Sequence, residues 1–127
     1  MRTFLRTVAG LNALFQIVVG VVAILSPTAA AKLFELGELA APSLALIRMF
    51  GGLLAGSGLL SGVIAWKPEA NRSLPVAYAL TCLLNLAADA AVGLSGALRF
   101  SQLALGMLLQ ILVVIAVGLH RRARGPS

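Results

Sequence analysis

The sequence predicts an all-α polytopic membrane protein whose four transmembrane helices form a compact bundle. Three observations carry that expectation. Hydrophobic residues make up 60% of the 127 and charged residues only 11%, against roughly 45–50% and about 25% in a soluble domain. Four apolar runs reach the ~20 residues that a helix needs to cross about 30 Å of hydrocarbon. Most of the charges lie outside those runs. Without water to bond the backbone inside a bilayer, such runs are helices. The length suits one domain over residues 1–127.

The first span, about 4–25, has Arg2 just before it and Arg6 in its first turn. Two arginines before an apolar stretch also mark secretory signals, and Ala29, Ala30 and Ala31 offer small residues for cleavage. The stretch is long for a signal and carries Asn12 and Gln16, so it reads as an uncleaved span. Residues 26–42 form the one long connection. Ser26 before Pro27 is a helix-start signal, with Gly37 as the stop. Between them Leu33, Phe34 and Leu36 alternate with Lys32 and Glu35, which fits either a short helix in the outer interface or an ordered loop. The second span, about 43–66, ends at the interfacial anchor Trp66. The third covers about 74–94, and the fourth, about 101–119, starts beside Phe100.

Charge orients these spans. Arg2, Arg6, Lys67, Arg72, Arg121, Arg122 and Arg124 fall on one side, against Lys32 and Arg99 on the other. Both termini are therefore expected on the cytoplasmic face of the inner membrane. The formal charge of +6 is then a topology signal rather than a nucleic-acid footprint, and no nucleic-acid partner is expected.

Gly51, Ala55, Gly58, Gly62 and Ala65 alternate at spacings of four and three, one continuous face of the second span. Small residues let a neighbouring backbone approach closely. That neighbour is either another helix of this chain or a second copy, and Gly52 with Gly56, elsewhere on the helix, keeps a homodimer open.

Every span also carries polar residues: Asn12 and Gln16, Arg48, Asn85 and Asp89, Gln102 and Gln110. At 1.5 Å per residue, Arg48 and Asp89 both lie roughly 7–8 Å below the outer boundary. Arg48 precedes Gly51 by three positions and is expected to face a neighbour. An ionised side chain inside a span costs at least ~2.5–3.5 kcal/mol, so the two are expected to pair. Asn85, Gln16, Gln110 and Tyr78 would supply hydrogen bonds around that pair, with Asn12 deeper. Tyr78, Cys82, Asn85 and Asp89 share one face of the third span. The amides also fit plain interhelical glue at about 0.6 kcal/mol per contact, and Arg48 fits snorkelling to the boundary. Cys82 reads as a core residue and His120 as a solvated interfacial one. No phosphate loop, Cys-x-x-Cys or set of metal ligands is present, so no cofactor and no metal are expected. Asn12-x-x-x-Gln16-x-x-x-Gly20 also repeats as Asn85-x-x-x-Asp89-x-x-x-Gly93, as a duplicated hairpin would.

The Gly10-Leu11-Asn12 to Gly20 span, the Ser26-Pro27 turn leading to Leu33 and Phe34, and Arg48-Met49-Phe50-Gly51-Gly52-Leu53 continuing to Gly56, Gly58 and Leu59 carry a resemblance. In hairpin layout the whole chain resembles the DoxX-like small four-helix membrane proteins. The resemblance implies the four-helix fold, and accessory roles in membrane redox complexes for some members. Asp89 stands outside its pattern.

The first functional expectation is an integral membrane protein that binds a lipophilic small molecule at a polar intramembrane pocket near the outer leaflet. Gln16, Asn12 and Gln110 would be ligand-binding residues. The alternatives are a cofactor-independent intramembrane enzyme on a lipidic substrate and an accessory subunit of a larger membrane complex. The enzyme would use Asp89 as acid or base, positioned by Arg48 and Asn85, with Tyr78 donating to an oxyanion. A proton-coupled exporter would use Asp89 as its carrier site.

Overall fold

The computed structural model describes residues 2–69, 72–96 and 98–125. Among them the regular elements are all helical: α1 (Arg2–Leu25), α2 (Pro27–Leu33), α3 (Ala41–Trp66), α4 (Leu74–Ser95) and α5 (Phe100–Ala123). Helices α1, α3, α4 and α5 are long and apolar enough to cross a membrane, and they fall on the four expected runs. The largest boundary difference is at the end of α5, which continues through His120, Arg121 and Arg122. Cations in a last turn face the negative end of the helix dipole, so the polar tail extends the helix instead of ending it.

The 26–42 connection contains a helix, α2. Ser26 Oγ accepts a hydrogen bond from the Ala29 N–H at 3.4 Å, and Pro27 begins the helix. The stop comes before Gly37, however. Glu35 takes a φ of 56°, and the Leu36 N–H donates back to the Ala31 carbonyl at 2.8 Å. This is a left-handed closure of the kind glycine usually makes, here on the residue directly after the cap position Phe34.

The chain divides into two compact units, Met1–Asn12 with Ser61–Ser127, and Ala13–Leu60. In Ala13–Leu60, α1 and α3 meet backbone to backbone. A Cβ on Gly20 would lie 2.6 Å from the Ala55 nitrogen and 2.7 Å from the Gly51 oxygen, and one on Gly58 would lie 3.0 Å from the Ile17 nitrogen. The small-residue face of α3 therefore packs here on α1 of the same chain. Gly52 and Gly56 have nothing within 4 Å.

In the other unit, Leu5, Val8 and Ala9 of α1, Ile64 of α3, Tyr78 and Cys82 of α4, and Val113, Ala116 and Val117 of α5 form one buried cluster. Helices α4 and α5 pack on each other across a short connection. Gly96, at φ 77°, ends α4, and the Arg99 N–H donates to Gln102 Oε1 at 2.8 Å to start α5. Phe100 lies with its ring against Gly93, where a Cβ would come within 2.6 Å. The glycines of the repeated Asn/Gly pattern thus both admit a close neighbour, a backbone at Gly20 and a ring at Gly93.

Charge ties the ends of this unit together. Glu69 Oε1 lies 2.9 Å from Arg124 Nη2 and 3.8 Å from Arg2 Nε. The start of α1, the end of α5 and the α3–α4 connection therefore share one end of the unit. The hydrogen bond from Arg124, and then the charge of Arg2, hold the Glu69 carboxyl below its ordinary 4.5. A carboxylate whose pKa falls on folding stabilises the fold fully above its unfolded value and loses that contribution as pH falls through the lowered one. Glu69 is exposed, so the effect is small and screened by salt.

Two outcomes follow for thermal unfolding of the detergent-solubilised chain. Gly20→Ala should cost about 1–3 kcal/mol by forcing α1 and α3 apart, whereas Gly52→Ala and Gly56→Ala should leave stability unchanged or raise it by up to about 1 kcal/mol; equal losses at all three positions would contradict this packing. Below the ordinary carboxylate value, wild type should lose stability more steeply than Glu69→Gln, and parallel pH profiles would remove any role for the clasp.

Candidate functional site

Among the described residues, the buried polar residues other than Gln16 lie in the unit formed by the first half of α1, the end of α3, α4 and α5. Asn12 is 1% exposed. Its Nδ2 donates to Tyr78 OH at 2.8 Å and to Ser61 Oγ at 3.2 Å. Ser61, itself fully buried, donates its hydroxyl proton to the Ala9 carbonyl at 2.8 Å. That bond leaves Ser61 only lone pairs to offer Asn12, which fixes the amide with its nitrogen toward Ser61 and Tyr78. Oδ1 is thereby turned the other way, and it is buried with no hydrogen-bond partner.

Gln110 repeats this condition on α5. It is 8% exposed, and its Oε1 is buried and unpartnered. Because Arg2 and Arg124 meet at Glu69, α1 and α5 run in opposite directions. Asn12 lies one turn beyond Val8 on α1, and Gln110 one turn before Val113 on α5; Val8 and Val113 belong to the same core cluster. Both amides therefore follow that core in the same direction, away from the Glu69 end. An amide oxygen can accept two hydrogen bonds, and leaving it buried without one costs about 1–3 kcal/mol. The shared chemical demand is for a hydrogen-bond donor in apolar surroundings.

The other residues singled out by sequence fall differently. Gln16 is buried but belongs to Ala13–Leu60. Asn85 and Asp89 are half-buried on α4, continuing the face of Tyr78 and Cys82. Arg48 is exposed, where its position three before Gly51 led to the expectation of a neighbour. It also precedes Gly52 and Gly56 by four and eight, and the latter two are the open glycines of α3. Arg48 and Asp89 belong to different units, and nothing in the structure supports their pairing. Cys82 is a buried core residue, as its apolar setting implied. His120 is not solvated: it is buried, with Nε2 unpartnered, because α5 continues past residue 119 with Val113, Val117 and His120 on one buried stripe. The valines between His120 and Gln110 keep it apart from the amides.

Ser61 is the member of the network that sequence reasoning missed. Its signal is the spacing of three from Gly58 on the small-residue face of α3, where a hydroxyl counts as both small and polar. Among the described residues no three His, Cys, Asp or Glu side chains gather as a metal site requires. Comparison with family models, curated proteins and solved structures finds no match.

Tyr78→Phe removes one of the two acceptors of the Asn12 nitrogen and should cost about 0.6–1.7 kcal/mol in thermal or denaturant unfolding. Thr81→Val, on the same helix but exposed, should cost less; equal losses would mean that the Asn12–Tyr78 bond contributes nothing specific.

Proposed function

We propose that this chain is a multi-pass protein of the inner membrane that binds a lipophilic small molecule between its helices. The ligand's apolar body packs among α1, α4 and α5, and a hydroxyl or N–H on its head donates to Gln110 Oε1 or to Asn12 Oδ1. The observation that carries this reading is the pair of buried, donorless amide oxygens on helices of one core. Tyr78 and Ser61 act indirectly, holding the Asn12 amide in the orientation that leaves Oδ1 available. Asn85 and Asp89, farther along the Tyr78 face of α4, extend the polar lining toward the outer boundary. The cytoplasmic placement of both termini rests on the Lys and Arg distribution, and the DoxX-like resemblance agrees with a small four-helix membrane protein.

The test compares a prenyl alcohol and an alkylphenol with their methyl ethers, using the thermal midpoint of the full chain in detergent. The alcohol and phenol should stabilise wild type and the ethers should not, since an ether cannot donate. Gln110→Leu should raise the midpoint of the unliganded chain, by relief of about 1–3 kcal/mol of unmet hydrogen bonding, and reduce the ligand-induced shift. Equal stabilisation by alcohols and ethers, or by neither, would overturn the reading.

A further inference from the structure

A second site lies at the opposite end of the same unit, at the membrane boundary. A cleft of about 390 Å³ is lined by Thr3, Arg6 and Thr7 of α1 and by Ala65 in the last turn of α3. Positions 3, 6 and 7 share one face of α1. Arg6 is held in place: its Nε donates to the Ala65 carbonyl at 2.9 Å. That carbonyl is among the last four of α3, which have no partner within the helix. The bond uses one of the five N–H donors of the guanidinium and leaves the remaining four on a fixed plane. Among the described residues no carboxylate pairs with Arg6, whereas Arg2 and Arg124 are both engaged by Glu69.

The neighbouring residues set the depth of the cleft. Trp66, next to Ala65, is exposed, and Lys67 Nζ lies 5.4 Å from the centre of its ring. Exposed tryptophan at the end of an apolar helix sits at headgroup level. An anchored arginine fork beside two threonine hydroxyls in an open polar cleft fits an oxyanion, and at headgroup depth the oxyanion at hand is the phosphate of a lipid.

From this we infer that Thr3, Arg6 and Thr7 form a phosphate-binding site that holds the headgroup of a boundary phospholipid. The two unesterified phosphate oxygens accept from the Arg6 guanidinium, and the threonine hydroxyls donate to the same group. The phosphate also balances a cation that the protein itself leaves unpaired. This site is independent of the amide site and of the ligand proposed there.

The experiment measures lipid retention by native mass spectrometry and thermal midpoints of the full chain with four probes: phosphatidylglycerol, diacylglycerol of the same acyl chains, glycerol phosphate and inorganic phosphate. Phosphatidylglycerol should be retained and raise the midpoint, and diacylglycerol should do neither. Arg6→Gln should weaken phosphatidylglycerol binding by about tenfold or more. Because that variant also frees the Ala65 carbonyl, the Thr3→Val/Thr7→Val double variant, which keeps the Arg6 bond, provides the second reading and should weaken binding several-fold. Stabilisation by glycerol phosphate or inorganic phosphate as strong as by the lipid would support the phosphate chemistry but overturn the lipid as its source. Equal binding of phosphatidylglycerol and diacylglycerol, or phosphatidylglycerol binding unchanged in both variants, would overturn the site.

Discussion

One asparagine organises the polar interior of this protein. In hydrocarbon, backbone groups are satisfied within each helix, so what links one helix to another is close packing and the few side-chain hydrogen bonds available. Asn12 makes such bonds from α1 to both α3 and α4 through a single nitrogen. Ser61 cannot donate to Asn12, because its proton is committed to Ala9. The amide is thus oriented by its surroundings, and its oxygen is left toward whatever can donate. The same bonds that hold three helices together create the unmet acceptor on which the proposed function depends.

The two units are held by different physics. Within Ala13–Leu60 the contact is steric: Gly20, Gly51 and Gly58 bring two backbones close enough for dispersion to act over many atoms. Within the other unit larger side chains fill a core, a polar network crosses it, and an ionic clasp at Glu69 closes one end. The clasp lies in water and contributes little by itself. Its structural consequence is to bring the start of α1 and the end of α5 to one side, which gives Asn12 and Gln110 their common direction from the core.

The spans were legible because a run of apolar residues long enough to cross a bilayer has few other structures open to it. The small-residue face of α3 was legible for a similar reason, since glycine and alanine at spacings of three and four allow close approach whichever helix accepts it. Sequence leaves that partner open, because the spacing of small residues sets the face of a helix and not the helix that meets it. The stop of α2 was misplaced because Glu35 adopts the left-handed conformation that favours glycine, and Gly37 nearby gave the stronger signal. The polar site was half legible. Asn12, Gln110 and Tyr78 stand out in the sequence as polar residues at depth, and the exposed side of Arg48 does not. Depth comes from position along a helix, whereas the facing direction of Arg48 depends on which glycines of α3 are covered, and only the structure distinguishes Gly51 from Gly52 and Gly56.

The proposed site requires a buried amide oxygen in this core that is free to accept from a donor carried by a ligand. Isotope-edited infrared spectroscopy of the Gln110 side-chain carbonyl tests it most directly, with the chain labelled at glutamine and the Gln110→Leu spectrum subtracted to isolate that group. Without ligand the band should stand at the position of an unbonded amide carbonyl, and it should move to lower frequency when a lipophilic alcohol is added. A band already at the hydrogen-bonded position, unmoved by any alcohol, would contradict it.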